Sequence, residues 1–223
     1  MDPLSSGNQL RPLRERMKVI IDRLFASVAL LFLLPVAGLV AIAILIEDGG
    51  PVLFRQTRVG RGGILFQILK FRSMRIRSTG AEITVANDPR VTRVGRFLRR
   101  LKLDELPQLW NVIRGDMSLV GPRPEVPRYV DFGSSAWQTV LAVRPGITDF
   151  ASLVYRDEER LLFGQADSEA HYRQVILPAK LKLNIDYIRR QSAWLDLKLM
   201  FWTARYSFFP FGFDPNLILG KLF

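Results

Sequence analysis

The sequence predicts a compact α/β domain, mostly α, on the cytoplasmic side of a membrane, with an N-terminal re-entrant membrane helix broken at Pro35 and interfacial amphipathic helices. Three observations predict it. An uncharged run from Leu24 to Ile46 is flanked on both sides by cationic residues. Short apolar stretches separated by glycine-rich turns follow, as strands do, and beyond Thr92 the apolar residues recur mainly at helical spacing. The expected divisions are a basic tail and amphipathic lead-in over residues 1–23, a membrane helix over 24–46, a cytoplasmic domain over 47–209 and a C-terminal tail over 210–223.

Composition narrows the chemistry before any motif is read. The 223 residues suffice to bury a sizeable core. They include no cysteine and one histidine, His171, which removes disulfides and thiolate metal sites and nearly excludes histidine-based triads. An acid, base or nucleophile is then most simply a carboxylate. The net charge of +11 calls for an anionic partner: nucleic acid, anionic lipid or a phosphorylated substrate. The chain shows no helix-turn-helix, zinc or RNA-binding sheet motif, so nucleic acid is not expected.

The first ten residues read as a frayed tail. Arg11, Arg14, Arg16, Lys18 and Arg23 lead into the apolar run, which as a straight helix would be about 34 Å long, enough for a hydrocarbon core of roughly 30 Å. Pro35 stands at its midpoint. A proline there removes a donor and displaces the carbonyl of Leu31, so two half-helices of about eleven residues are expected, dipping into the bilayer and returning to the same side. A straight single span is the alternative. A cleaved signal peptide fits poorly, because the run stays apolar past Ala41-Ile42-Ala43.

Asp48-Gly49-Gly50-Pro51 forms a turn. Val52-Leu53-Phe54 and Ile64 to Phe71 then read as strands around Gly60-Arg61-Gly62-Gly63, a β-hairpin whose arginines could meet headgroups or a diphosphate. No dinucleotide or P-loop unit surrounds these glycines, and a plain turn explains them. Residues 77–90 mark a loop. In TRVGRFLRRLKL, Arg96, Arg99 and Arg100 share a helical face that runs up to Asp104, whether as an ordinary solvated face or as a phosphate-holding one.

The densest chemistry lies in LKLDELPQLWNVIRGDMSLVGPRP, from Leu101 to Pro124. Leu106, Leu109, Trp110 and Ile113 recur at helical spacing until Gly115, with Pro107 in the first turn and Asp104 where an N-cap would sit. A helix N-terminus would keep Asp104 ionised at neutral pH, ready to hold Mg²⁺ or attack phosphorus. The same pattern also describes a plain helix cap.

This run resembles the bacterial sugar transferases that act as monotopic phosphoglycosyl transferases on polyprenol phosphate. The resemblance extends to the proline-broken apolar run, RQTRVGRGG, LKFRSM and the later RPGIT, from about Lys18 to Phe208. It implies transfer of a phosphosugar from a UDP-sugar to undecaprenyl phosphate at the inner leaflet of the bacterial cytoplasmic membrane, with Mg²⁺ as cofactor and a covalent aspartyl intermediate. Asp104 matches the family's nucleophile and would also hold the metal. Glu105 matches the second carboxylate of the dyad, and Arg99, Arg123 and Arg144 match arginines suited to phosphate. For Arg123, an ion pair with an internal carboxylate such as Asp116 is the alternative.

Beyond RPGIT the chain departs from the family's commonest form, reading Asp149-Phe150-Ala151 and on to Tyr155-Arg156-Asp157-Glu158-Glu159. A family acidic position coincides with Asn184. Residues from Trp194 to Phe209 read either as an interfacial helix, with Trp194, Trp202 and Tyr206 at headgroup depth, or as a core helix. The sequence leaves the sugar, the pathway and a homodimer open.

Overall fold

A computed structural model describes residues 6–75, 85–86 and 88–209; the first five residues, most of the expected loop after Arg75 and the C-terminal tail lie outside the described residues. Helix α1 spans Ser6–Asp48, 43 residues. It is helical through Pro35, so the break expected there does not interrupt it. One missing N–H removes a single backbone bond, a cost of about 3 kcal/mol, and packing on both sides of the proline offsets it. Ala26, Ala29, Leu30 and Leu33 pack with Ile68, Leu109, Val112 and Met117. Ala37, Val40 and Ile44 pack with Phe71 and Leu98. The opposite face leaves Phe32, Leu39 and Ile46 76%, 69% and 81% exposed, and the stretch from Glu15 is long and apolar enough to cross a membrane.

Both ends of α1 are tied to the same body. Near its start Lys18 pairs with Asp196 at 2.6 Å, Ser118 donates to Asp22, and Arg23 donates to the Arg114 carbonyl at 3.2 Å. At its end the Glu47 carboxylate accepts from the backbone N–H groups of Arg93 (2.7 Å) and Val94 (2.9 Å). These are the first two residues of α2, Arg93–Leu101, and a carboxylate there is favoured by the helix dipole.

The expected hairpin forms, with its first strand running on to Val59, beyond Val52-Leu53-Phe54. Strands β1, Leu53–Val59, and β2, Leu65–Phe71, pair antiparallel from Leu53↔Phe71 to Val59↔Leu65. Gly62 and Gly63 turn the chain at φ 67° and 80°, a region that disfavours other residues. Helix α3, Gln108–Arg114, lies against α1 and β2, where the Asn111 side chain accepts from the Leu69 N–H and donates to the Gln67 carbonyl.

A parallel pair of short strands, β3 (Ser118–Val120) and β4 (Gly146–Thr148), joins the two arginine-proline motifs. Gly121 and Gly146 meet there: a Cβ on Gly146 would lie 2.1 Å from the Gly121 nitrogen, so only glycine fits. Helix α4, Ser135–Leu141, follows β3, and α5 (Phe150–Val154), α6 (Glu158–Leu162) and α7 (Ser168–His171) follow β4. Helices α8 (Leu177–Arg190) and α9 (Ala193–Phe208) close the main core with Val120, Phe150, Leu153, Tyr187, Leu195, Leu199 and Tyr206. Helix α9 is thus a core helix along one face, and Trp202 and Tyr206, expected at headgroup depth, lie on that inner face. Tyr206 is buried and Trp202 half-buried, stacked on it at 5.5 Å, while Trp194 and Phe201 stand exposed on the other face.

Candidate active site

Lys102, left-handed at φ 58°, ends α2 and turns the chain into a 3-10 turn, Leu103–Glu105. Leu103 and Leu106 pack into the apolar cluster of Val40, Ile44 and Phe71, which draws the intervening Asp104 and Glu105 inward until both are buried. The second half of α1 therefore adjoins the dyad. Asp104 is not an N-cap: α3 begins at Gln108 with Pro107 before it and no side-chain cap. Among the described residues no hydrogen bond reaches Asp104, and its Oδ1 is fully buried without a partner.

Glu105 is held the opposite way. Arg123 forks onto it, Nη2 to Oε1 at 2.5 Å and Nη1 to Oε2 at 3.3 Å, and Lys70 Nζ lies 3.6 Å from Oε1. The internal carboxylate that Arg123 finds is therefore Glu105, not Asp116, which faces Arg114 and Asn111. The Arg123 backbone N–H donates to Asp149 Oδ2 at 3.3 Å, and Asp149 Oδ1 caps α5 at Ser152, fixing the Gly-Pro-Arg-Pro turn.

These contacts divide the two carboxylates electrostatically. Burial and the charge of Glu105 push Asp104 above the usual carboxylate range, against the pull of Lys70, Lys102 and Arg99. The ionised state expected from a helix N-terminus is therefore opposed here, because the helix begins elsewhere and the group is desolvated. Burial would also raise Glu105, but Arg123, Lys70 and Lys102 outweigh it and hold Glu105 well below that range. Burial and the neighbouring Arg123 bring Lys70 down to about 8, with Glu105 and Asp104 opposing.

Arg99, at the end of α2, donates through Nη2 to Glu159 on α6, while its Nη1 is buried and has no partner among the described residues. Arg144 stands apart and shares no hydrogen bond or ion pair with the dyad. Its Nε donates to the Gly115 carbonyl at 3.2 Å, and its charged neighbours are Arg61, Arg23, Glu15 and Asp22. The sequence reading missed Lys70, Asp149, Glu159 and Gln108. Lys70 carried one signal, a lone cation inside the apolar strand ILFQILKF. Gln108, one helical turn past Asp104, is fully buried with both amide atoms unpartnered.

Among the described residues no group of three or more acidic, histidine or cysteine side chains could enclose a metal. Mg²⁺ does not require one: it is commonly held by one or two carboxylates together with substrate phosphates. The unpartnered Asp104 Oδ1 fits that role, whereas both oxygens of Glu105 are engaged.

A buried carboxylate, its Oδ1 unpaired among the described residues, stands among Arg99, Lys70, Lys102 and Arg123 beside an apolar helix of membrane-spanning length, an arrangement whose charge suits phosphorylated ligands. The chain belongs to the bacterial sugar transferase family, whose model matches residues 13–210. It is 43% identical over 192 residues to a UDP-glucose:undecaprenyl-phosphate glucose-1-phosphate transferase of Caulobacter vibrioides, covering 84% of this chain and 68% of that protein. An Escherichia coli K12 protein of the same name is 37% identical over 208 residues, 91% of this chain and 41% of its own length. A UDP-N-acetylgalactosamine-undecaprenyl-phosphate N-acetylgalactosaminephosphotransferase of Aeromonas hydrophila is 38% identical over 206 residues, 90% of this chain and 46% of its own. The chain thus spans less than half the length of the latter two.

Proposed function

We propose that this chain transfers a sugar 1-phosphate from a UDP-sugar to undecaprenyl phosphate, releasing UMP and starting a lipid-linked glycan. The observation that carries the reading is the buried Asp104 oxygen left unpaired among cations, beside a Glu105 already neutralised by Arg123 and Lys70. The names of the three relatives support the substrates.

In the first step an Asp104 oxygen attacks the sugar-bearing phosphorus of the donor. The bond from that phosphorus to the bridging oxygen breaks, and UMP leaves with the electron pair. An acyl phosphate on Asp104 results, so a displacement between two anions is split into two easier ones. In the second step an oxygen of the acceptor phosphate attacks the same phosphorus and frees the Asp104 carboxylate. Arg99 meets the donor phosphates through its unpartnered Nη1, and Arg123 and Lys70 keep Glu105 ionised and the local field positive. Mg²⁺, held by Asp104 and the donor's phosphate oxygens, would neutralise charge on the diphosphate. Arg144 lines the second cationic group near the start of α1, where a phosphate could also be met.

We further infer that α1 inserts from the cytoplasmic face only, in the re-entrant sense, with both flanks on that side. Its ties to one body at Lys18, Arg23 and Glu47 support this, because a crossing helix would carry one set through hydrocarbon, at several kcal/mol for each bare polar group. The acceptor phosphate, held at the membrane surface, then meets the soluble donor at the dyad.

The test is nucleotide release by detergent-solubilised protein with Mg²⁺, undecaprenyl phosphate and a panel of UDP-sugars. The expected product is UMP, dependent on acceptor and lost by at least about 10³-fold in Asp104→Asn, because an amide cannot form the acyl phosphate. UDP as product would mean ordinary glycosyl transfer, and full activity in Asp104→Asn would overturn the covalent step.

A further inference from the structure

Arg99 and Asp104 carry opposite charges, and the charge of Arg99 acts on the Asp104 carboxyl, yet they do not pair. Arg99 Nη1 and Asp104 Oδ1 are both buried and, among the described residues, both without a partner. Two such groups close on each other unless something holds them apart, since each unmet buried polar atom costs about 1–3 kcal/mol. The other terminal nitrogen of Arg99, Nη2, donates to Glu159.

Glu159 is itself well fixed. Its carbonyl accepts from the Ala86 N–H at 3.0 Å. Its neighbour Glu158 accepts from Lys180 at 2.9 Å, and the buried Lys180 also faces Glu125 at 3.6 Å. The first turn of α6 is therefore anchored to α8 and to the segment just past Arg123, and it presents Glu159 to α2 from across the site.

We propose that Glu159 is a positioning residue, holding Arg99 off Asp104 so that the carboxylate stays open and Arg99 Nη1 faces the place of the donor's sugar-bearing phosphate. The assignment rests on the reading of Asp104 and Arg99 given above. Without Glu159, Arg99 swings onto Asp104, which blocks the nucleophile and withdraws the guanidinium from the phosphate. The Glu159 side chain is 45% exposed, so replacing it opens no cavity in the core. Loss of function is thus separable from loss of fold.

Glu159→Gln, Glu159→Ala and Glu159→Asp are compared with wild type for kcat and donor KM in the UMP-release assay, with Tm measured on each. Expected are a fall in kcat/KM of roughly 10- to 100-fold in the Gln and Ala variants, typical of removing a residue that orients a reacting group, a Tm close to wild type, and partial recovery in Glu159→Asp. In an Arg99→Lys background, Glu159→Gln adds little further loss, because the two act as one unit. Wild-type kcat and donor KM in both Gln and Ala variants would overturn the proposal, as would a loss fully additive with Arg99→Lys. Failure of the underlying reading shows differently, as full activity in Arg99→Ala and Asp104→Asn.

Discussion

Lys70 shows how a single buried residue sets a pH response. Its ammonium lies 3.6 Å from Glu105 and is brought down to about 8 by burial and Arg123, so it loses its proton just above neutrality. Transfer should therefore fall as pH rises through about 8, as the cation beside Glu105 disappears. In Lys70→Arg that alkaline limb should vanish, since a guanidinium stays protonated; a pH–rate profile of both proteins checks this. Asp104 has the opposite sign. Its carboxyl is raised in the fold, so its charge costs native stability above the raised value, and the cost disappears below the ordinary value, where folded and unfolded chains are both protonated. Asp104→Asn should thus be inactive yet more stable at neutral pH. A gain of about 1 kcal/mol would raise Tm by about 2–4 °C, and that gain should shrink on acidification.

Among the secondary elements, the β3–β4 pair does the joining. It places the turn that bears Arg123 beside the later Arg144-Pro145-Gly146 segment, and the Gly146 N–H donates to the Pro122 carbonyl at 3.0 Å. A Cβ on Gly146 would drive into Gly121 backbone at 2.1 Å, and backbone cannot yield as a flexible side chain does. Gly146→Ala should therefore cost about 3 kcal/mol or more, lowering Tm by several degrees and releasing Glu105 from Arg123. Thermal denaturation together with UMP release checks it: a stable, active variant would mean that the strand pair tolerates separation. Helix α2 acts in the same manner at the other side of the dyad. Its first N–H groups rest on Glu47 of α1 and its last turn carries Arg99, so the membrane helix and the candidate phosphate contact are linked through one short element.

At the scale of the whole molecule, α1 is a scaffold that also carries the apolar face expected of an anchor. One stripe packs on the domain while the rest presents apolar side chains outward, and polar ties hold both ends. Cysteines introduced before Leu24 and after Ile46 should both react with a membrane-impermeant thiol reagent only from the cytoplasmic side. The chain has no cysteine of its own to confuse the result. Labelling of the two flanks from opposite sides would defeat the one-face insertion.

Contiguous pattern was enough for much of this protein. The long apolar helix, the hairpin, the cationic helix of Arg99 and the adjacent carboxylates were legible because each depends on local period, turn chemistry or neighbouring residues. The family resemblance rested on the same unbroken runs. The tertiary structure alone decided the pairings within the dyad. Arg123 reaches Glu105 across 18 positions and Arg99 reaches Glu159 across 60, and no local periodicity encodes such pairings. It also decided that Asp104 is a desolvated, unpaired group instead of a helix cap, and that α1 continues through Pro35. Both outcomes depend on which surfaces leave water together, a property of the packed chain that the order of residues does not display.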